Sequence, residues 1–174
     1  MKTLYLMRHA KAAPPDSALT DHDRQLNDRG ERAARRMARY LADHGLIPDH
    51  VLCSTAVRAR LTLGPILDAL GGETSVHYRR ALYLTSPDVI LEEIRSVDDH
   101  TARLLLVGHN PDTQALAVHL AADAHRPEVE AMARKFPTGA LAVYHFEVDS
   151  WRDIGWGLGR IEAFVKPKAL AQSD

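Results

Sequence analysis

The stretch RLLLVGHNP, residues 103–111, decides the fold, because it joins the most apolar run of the chain to a helix start. A strongly apolar strand such as residues 103–107, where four apolar residues follow Arg103, is typical of a central parallel strand that is buried on both faces. Asn110 is a favoured N-cap residue and Pro111 suits the first helical position, so a helix is predicted from here to about Ala122. The stretch therefore predicts the strand, turn and helix of a layered α/β domain.

The remaining segments extend this alternation of strand and helix. Short apolar runs predict further strands, and apolar residues at helical spacing predict further helices. The predicted strands are 3–7, 51–54, 140–148 and 160–165, and the predicted helices are 28–44, 56–70 and 87–97. Gly64-Pro65 lies inside the second of these helices and predicts a kink or a break there. We expect a single domain over residues 1–174 that is built around a largely parallel sheet.

Charge and composition exclude several classes of protein. The chain has 22 Lys and Arg against 23 Asp and Glu, and this balance gives no reason to expect a nucleic-acid or membrane-surface partner. The single Cys53 cannot form an internal disulfide, which favours a reducing compartment. No stretch has the apolar length that a membrane-spanning helix needs. We therefore expect a soluble, cytoplasmic protein in which local positive charge holds any anionic ligand.

Two histidines and two arginines follow three of the predicted strands. Arg8 and His9 end the first, Arg58 lies just after the second, and His109 follows the central one. Parallel α/β sheets bind ligands beyond the carboxyl ends of their strands, where these side chains would meet. Arginine binds phosphate oxygens bidentately, and a neutral imidazole can attack phosphorus. The set predicts phosphoryl transfer with His9 as nucleophile, supported by amide groups at the helix start after Pro111.

Residue spacing alone leaves other interpretations open. An isolated Arg-His pair is a weak signal, because such residues usually lie on a solvated surface. Arg60 competes with Arg58 as the phosphate ligand, since two residues that far apart on a helix cannot share a face. No metal-ligand spacing occurs among the other histidines, so neither a metal site nor a cofactor is predicted. Those histidines are His22, His44, His50, His77, His100, His119, His125 and His145.

Four motifs, taken in order, resemble the histidine phosphatase superfamily. They are LMRHA at 6–10, LNDRG at 26–30, the segment 54–62 with Arg58-Ala59, and VGHN at 107–110. Within that family the chain is most similar to the small SixA-type phosphohistidine phosphatases, and Ala10-Lys11, where larger members have Gly-Glu, favours this branch over the mutases. The resemblance implies a phosphoglycerate mutase-like fold, a three-layer α/β/α sandwich around a mostly parallel sheet with one antiparallel strand.

The resemblance also implies roles for individual residues. His9 is the expected nucleophile, while Arg8, Arg58 and His109 are expected to bind the phosphoryl group. Asn110 is expected beside them in the phosphate site. The implied partner is a phosphorylated protein or a small phosphorylated molecule.

The general acid is the point at which the sequence departs from the larger family members. These supply a glutamate from a region that aligns with residues 81–88, which here read ALYLTSPD. Asp88, Glu92 and His109 are therefore the candidate proton donors.

The leaving group decides how much such an acid matters. An alkoxide needs a proton from a positioned acid, whereas a protonated phosphoramidate can leave as neutral imidazole. We therefore expect phosphohistidine or another phosphodonor with a good leaving group as substrate. Two alternatives stay open: a sugar-phosphate or other small-molecule phosphatase or mutase of the same fold, and a non-catalytic module that binds phosphate or phosphoprotein.

Overall fold

The computed structural model describes residues 1–171, in which six strands form one sheet of order β3-β2-β4-β1-β5-β6. The strands are β1 (Lys2–Arg8), β2 (His50–Ser54), β3 (Ser75–Arg79), β4 (Arg103–Gly108), β5 (Leu141–Phe146) and β6 (Arg160–Val165). β5 runs antiparallel to both of its neighbours, and every other neighbouring pair is parallel. Residues 172–174 of the predicted domain lie outside the described part.

Helices cover both faces of this sheet. They are α1 (Asp28–Asp43), α2 (Val57–Leu70), α3 (Pro87–Arg95), α4 (Asp112–Leu120), α5 (Pro127–Arg134) and α6 (Pro167–Leu170). Within residues 1–171, none of the helices combines the length and the apolar character that crossing a membrane requires.

Strand β1 shows how the two layers of core arise. Its side chains alternate between the faces of the sheet, as the two-residue period of a strand requires. Leu4 and Leu6 pack into the core that α3, α4 and α5 cover. Tyr5 and Met7 pack into the core on the other face, beneath α1 and α2. The predicted three-layer sandwich around a mostly parallel sheet with one antiparallel strand is thereby confirmed.

Three details differ from the sequence predictions. Helix α2 is continuous although Pro65 lies inside it, and the residue whose carbonyl loses its helical donor, Leu61, is 41% exposed. Helix α4 begins at Asp112, with Pro111 at the N-cap, one residue later than predicted. The edge strand β3 and helix α5 were not predicted, because β3 is short and mostly exposed and α5 is a short helix that buries only Val129 and Met132.

The LNDRG motif holds the start of α1 against the loop that follows β1. Asn27 caps the helix, and its Oδ1 accepts a hydrogen bond from the Gly30 N–H at 2.8 Å. A Cβ atom at Gly30 would overlap the carbonyl oxygen of Lys11, so glycine is needed for this close approach. The motif therefore supports the backbone just beyond His9.

Candidate active site

The carboxyl ends of β1, β2 and β4 bring the predicted site residues together. Arg8 at the end of β1 lies opposite Gly108 at the end of β4, and the His9 N–H donates to the Gly108 carbonyl at 3.0 Å. The next residue on each strand is a histidine, and the ring centroids of His9 and His109 are 5.0 Å apart. Arg58 enters from the first turn of α2, which follows β2.

His9 is held in the tautomer that leaves Nε2 unprotonated. Its Nδ1 lies 2.7 Å from the Ala10 carbonyl oxygen, which can only accept, so Nδ1 carries the proton. The residue is 7% exposed. Burial lowers the pKa of His9 to about 4, with a further lowering by the charges of Arg58 and Arg8 against the opposing effect of the Ala10 carbonyl. His9 is therefore neutral at neutral pH, with a lone pair on Nε2.

Arg8 and Asn110 share the carbonyl oxygen of Phe136. Arg8 Nη1 donates to it at 2.9 Å and Asn110 Nδ2 donates at 3.1 Å. The other end of the Asn110 amide, Oδ1, accepts from the Gln114 N–H at 3.2 Å. Asn110 was predicted as a phosphate ligand, but the structure engages both ends of its amide in supporting the loop. Burial, followed by the charge of Arg58, lowers the pKa of Arg8.

Two of the amides at the start of α4, which were predicted to support phosphate binding, already donate hydrogen bonds within the loop. The Thr113 N–H donates to the His109 carbonyl at 2.8 Å, and the Gln114 N–H donates to Asn110. Pro111 has no N–H. The side chains of Arg8 and Arg58 supply positive charge to the site.

Arg58 is the arginine of α2 that reaches the site, and it is 5% exposed. Its Nη1 donates to the Asp21 carbonyl oxygen at 2.7 Å, and its Nη2 donates to Asp21 Oδ2 at 3.1 Å. Its rival Arg60 is exposed and lies over the ring of Tyr78, 4.5 Å from the centroid. The structure thus separates two arginines that spacing alone could not.

Asp21, which no sequence pattern indicated, forms an ion pair with Arg58 at the edge of the site. Tyr83 donates its hydroxyl to Asp21 Oδ2 at 2.5 Å, and Arg24 donates to Oδ1 at 3.0 Å. These hydrogen bonds, that of Tyr83 first, hold the pKa of Asp21 far below its usual range. Asp21 is therefore ionised at neutral pH and cannot serve as a proton donor.

His109 is 2% exposed and hydrogen-bonded through one ring nitrogen, because Nε2 lies 2.7 Å from Ser54 Oγ. Its Nδ1 is buried without a hydrogen-bond partner. Burial lowers the pKa of His109 to about 3, helped by the proximity of His9 and Arg58. It is neutral at neutral pH, which makes it a hydrogen-bond donor rather than a source of protons.

The carboxylates predicted as proton donors lie outside the pocket. Asp88 is exposed in the first turn of α3 and lines a separate surface groove beside Trp156. The Glu92 side chain is 69% exposed and forms an ion pair with Arg95 at 2.7 Å. The physical reason is that α3 buries Ile90, Leu91 and Ile94, which turns residues 88 and 92 outward.

Asp112 is a buried carboxylate near the site that sequence reasoning missed. It begins α4, three residues after His109, and its Oδ2 accepts from the Thr85 N–H at 3.1 Å. Thr85 lies two residues beyond Tyr83, whose ring centroid is 5.4 Å from that of His109. Burial raises the pKa of Asp112 against the opposing effect of the Thr85 amide. A raised pKa is what a carboxyl proton donor requires.

Thr62 connects the nucleophile loop to the helix that carries Arg58. Its Oγ1 accepts from the Ala10 N–H at 2.9 Å and donates to the Arg58 carbonyl at 2.7 Å. Thr62 stands four residues after Arg58, so helical spacing could have indicated this contact. On the other side, the Gly139 N–H donates to the carbonyls of Arg8 and His9, at 3.0 Å and 2.9 Å.

Three buried side-chain atoms among the described residues lack a hydrogen-bond partner: Arg8 Nε, His109 Nδ1 and Thr113 Oγ1. Leaving a buried polar group unsatisfied costs about 1–3 kcal/mol, and more when the group is charged. Arg8 and His109 flank His9, and Arg58 adds a second positive charge. The arrangement suits an anion placed next to a neutral imidazole. No group of three His, Cys, Asp or Glu side chains suited to a metal ion occurs within residues 1–171.

Comparisons with known proteins agree with this geometry. Residues 4–83 match the profile of the histidine phosphatase superfamily (branch 1). An uncharacterized protein of Mycobacterium tuberculosis is 39% identical over 164 residues, covering 93% of this chain and 100% of that protein. The SixA structure of Nakamurella multipartitia superposes with a TM-score of 0.82 at 33% identity, covering 95% of this chain and 96% of the other. The protein histidine phosphatase SixA in complex with tungstate shares the fold, with a TM-score of 0.78 at 23% identity over 97% and 99% of the two chains.

Proposed function

Because this chain belongs to the histidine phosphatase superfamily and is of the SixA type, we propose that it is a phosphatase that forms a covalent phosphohistidine on His9. The observation that carries the proposal is the neutral His9 with its free Nε2, flanked by Arg8, Arg58 and the unpartnered Nδ1 of His109. A nucleophile of this kind needs its lone pair directed at phosphorus and donors that stabilise charge on the phosphoryl oxygens.

In the first step His9 Nε2 attacks phosphorus in line with the leaving group. The Nε2–P bond forms as the bond from phosphorus to the leaving group breaks, and that bond's electron pair departs with the leaving group. The Ala10 carbonyl keeps the proton on Nδ1 and stabilises the positive charge that the ring acquires. Arg8, Arg58 and His109 donate hydrogen bonds to the transferred phosphoryl oxygens.

In the second step a water oxygen attacks the phosphorus of the phosphohistidine. The Nε2–P bond breaks, its electron pair returns to Nε2, and the water releases a proton to the phosphate or to solvent. Inorganic phosphate leaves, and His9 is again neutral. The ring has the same tautomer at the beginning and the end of the cycle, because the Ala10 carbonyl fixes it throughout.

The leaving group points to the substrate class. Asp21 is ionised, His109 is neutral, and Asp88 and Glu92 face away from the pocket. A phosphodonor whose leaving group departs without an enzyme-supplied proton suits this set best. We therefore propose phosphohistidine in proteins, whose imidazole can leave as a neutral ring, as the preferred substrate.

A labelling experiment tests the nucleophile. The protein is incubated with a labelled phosphodonor, the acid-labile phosphoenzyme is trapped, and the modified residue is mapped by mass spectrometry. We expect label on His9 in the wild type and in the control His125→Gln, which alters an exposed histidine, and none in His9→Ala. Turnover by His9→Ala should fall on the order of 10³-fold or more. Equal labelling of His9→Ala and the wild type would contradict the assignment of His9 as the nucleophile.

Asp112 favours a second candidate function, a small-molecule phosphomonoesterase. Its buried carboxyl has a raised pKa and could protonate an alkoxide leaving group. A panel of phosphohistidine peptide, sugar phosphates and an aryl phosphate separates the two functions, with Asp112→Asn as the variant. If sugar phosphates are the better substrates and Asp112→Asn slows them selectively, the second function holds. If the peptide is preferred and the variant leaves its turnover unchanged, the first holds.

The same experiments also test the non-catalytic alternative. A module that only binds phosphate has no use for the free lone pair on His9 Nε2, which counts against it. Phosphate binding without phosphoenzyme and without turnover of any phosphodonor in the panel would favour the binding module.

A further inference from the structure

We infer that Ser54 is a positioning residue that fixes the tautomer of His109, so that the Nδ1–H of His109 donates to the phosphoryl group. The inference rests on the proposed function, because it assigns His109 its part in that chemistry. It concerns a residue at the end of β2 whose side chain is fully buried and contacts His109. Three observations carry it: the contacts of Ser54 Oγ, the complete burial of Ser54, and the unpartnered Nδ1 of His109.

The contacts of Ser54 Oγ determine where its hydroxyl proton can go. Oγ accepts from the Ala56 N–H at 3.2 Å and lies 2.7 Å from His109 Nε2. Ser54 is fully buried, so solvent offers no other acceptor. Nε2 of His109 is thus the acceptor within reach of the Ser54 hydroxyl.

The two neutral tautomers of His109 then differ in what they leave unsatisfied. If Nε2 carried the proton, the Ser54 hydroxyl would lack an acceptor and Nδ1 would be a buried acceptor without a donor. If the Ser54 hydroxyl donates to Nε2, the proton lies on Nδ1 and a single buried N–H remains unpaired. The second arrangement satisfies more groups, and the donor it leaves is the one that a phosphoryl oxygen needs. The ring centroid of His109, 5.0 Å from that of His9, lies close enough for both residues to contact one phosphoryl group.

Ser54 also has a purely structural contact that the test must separate. Its bond with the Ala56 N–H orders the turn that leads into α2 and thus to Arg58. Ala56→Pro removes this N–H alone, and the φ of −57° at Ala56 is the value that proline requires. Ser54→Ala removes both contacts, whereas Ser54→Thr keeps the hydroxyl. These three variants distinguish the effect on His109 from the effect on the turn.

The first measurement is the tautomer of His109, read from long-range ¹H–¹⁵N spectra of the labelled wild-type protein. We expect the Nδ1–H form in the wild type and in Ala56→Pro, and loss of that form in Ser54→Ala. A wild-type His109 in the Nε2–H form would overturn the inference. The wild-type spectrum alone can therefore overturn the inference, and it depends neither on turnover nor on the folding of a Ser54 variant.

The second measurement is the rate of phosphoenzyme formation in a double-mutant cycle with His109→Ala. Ser54→Ala should slow labelling by about 10- to 100-fold in the wild-type background, less than the roughly 10²- to 10³-fold cost of deleting a transition-state donor, because His109 itself remains. In the His109→Ala background, Ser54→Ala should slow labelling further by less than about twofold, because Ser54 acts through His109. Ser54→Thr should restore the rate, and Ala56→Pro should change it by less than about threefold. A full effect of Ser54→Ala without His109, or an equal effect of Ala56→Pro, would contradict the inference.

Failure of the proposed function would look different. If the wild type forms no phosphoenzyme on His9, the kinetic cycle is replaced by titration with inorganic phosphate. The inference then predicts weaker phosphate binding in Ser54→Ala than in the wild type or Ser54→Thr. Unchanged binding in Ser54→Ala would refute it.

Discussion

Replacing His9 and His109 by glutamine should remove a large part of the pH dependence of folding stability. Both imidazoles are buried and neutral, with pKa values lowered to about 4 and about 3. In the unfolded chain each has a pKa of about 6.5. The unfolded state therefore binds more protons below that pH, so the stabilising contribution is complete above pH 6.5. It is lost as the pH falls toward the folded-state values.

The size of the effect follows from these pKa values. Between pH 8 and pH 5, a histidine that titrates at about 6.5 when unfolded and stays neutral when folded lowers the free energy of unfolding by about 2 kcal/mol. At pH 5 the folded-state value hardly matters, since both native histidines titrate below that pH. The wild type should thus lose about 4 kcal/mol more than the double variant His9→Gln/His109→Gln, and about 2 kcal/mol more than either single variant.

Urea unfolding at pH 8, 7, 6 and 5 measures this difference. The buffer must contain no phosphate, because an anion bound to the native state would add its own stabilisation. Other titrating groups cancel in the comparison, including His50, whose pKa burial lowers as well. If the wild type and the double variant lost the same free energy of unfolding to within about 1 kcal/mol, the assignment of His9 and His109 as buried neutral groups would be wrong.

Three further substitutions test the supports of the site. Thr62→Val should lower the free energy of unfolding by about 1–3 kcal/mol in urea titrations, since the Ala10 N–H and the Arg58 carbonyl lose their buried partner; Thr62→Ser should restore it. Gly139→Ala should lower the melting temperature, because φ is +77° and a Cβ would lie 2.9 Å from a proline ring; an unchanged melting temperature would contradict this strain. Asp21→Asn keeps an acceptor for Arg58 but removes a negative charge from the edge of the site. Inorganic phosphate should therefore inhibit this variant at about two- to fivefold lower concentration than the wild type. Weaker inhibition of the variant would contradict this role of the Asp21 charge.

The sequence predicted those parts of the molecule that strong local signals mark. Apolar runs located five of the six strands, and Arg8, His9, Arg58 and His109 lie at the ends of three of them or in the residues that follow. Strand β3 was missed because most of its residues are exposed at the edge of the sheet, where no apolar alternation is needed. Patterns in a single sequence indicate which residues are buried, and β3 has little buried surface to produce such a pattern.

Contacts between distant loops could not be predicted in the same way. Asp21 meets Arg58 and Tyr83 only because the 3₁₀ turn at 21–23 folds over the start of α2, and no periodicity encodes that meeting. The outward placement of Asp88 and Glu92 is different in kind. The apolar residues of α3 define its buried face. The exposure of Asp88 and Glu92 on the opposite face therefore follows from helical spacing that the sequence already contains.

The nucleophile is oriented by backbone, which explains why its supporting residues are scattered along the chain. A main-chain carbonyl, that of Ala10, fixes the tautomer of His9, so no side-chain motif can show this contact. What side chains and glycines can do is hold the surrounding peptide groups. Thr62 binds the N–H of Ala10, the N–H of Gly139 binds the carbonyl of His9, and Gly30 leaves room for the carbonyl of Lys11. Three separate segments thus converge on the backbone between Arg8 and Lys11, and the nucleophile depends on Thr62, Gly139 and Gly30 although none of these three residues takes part in the chemistry.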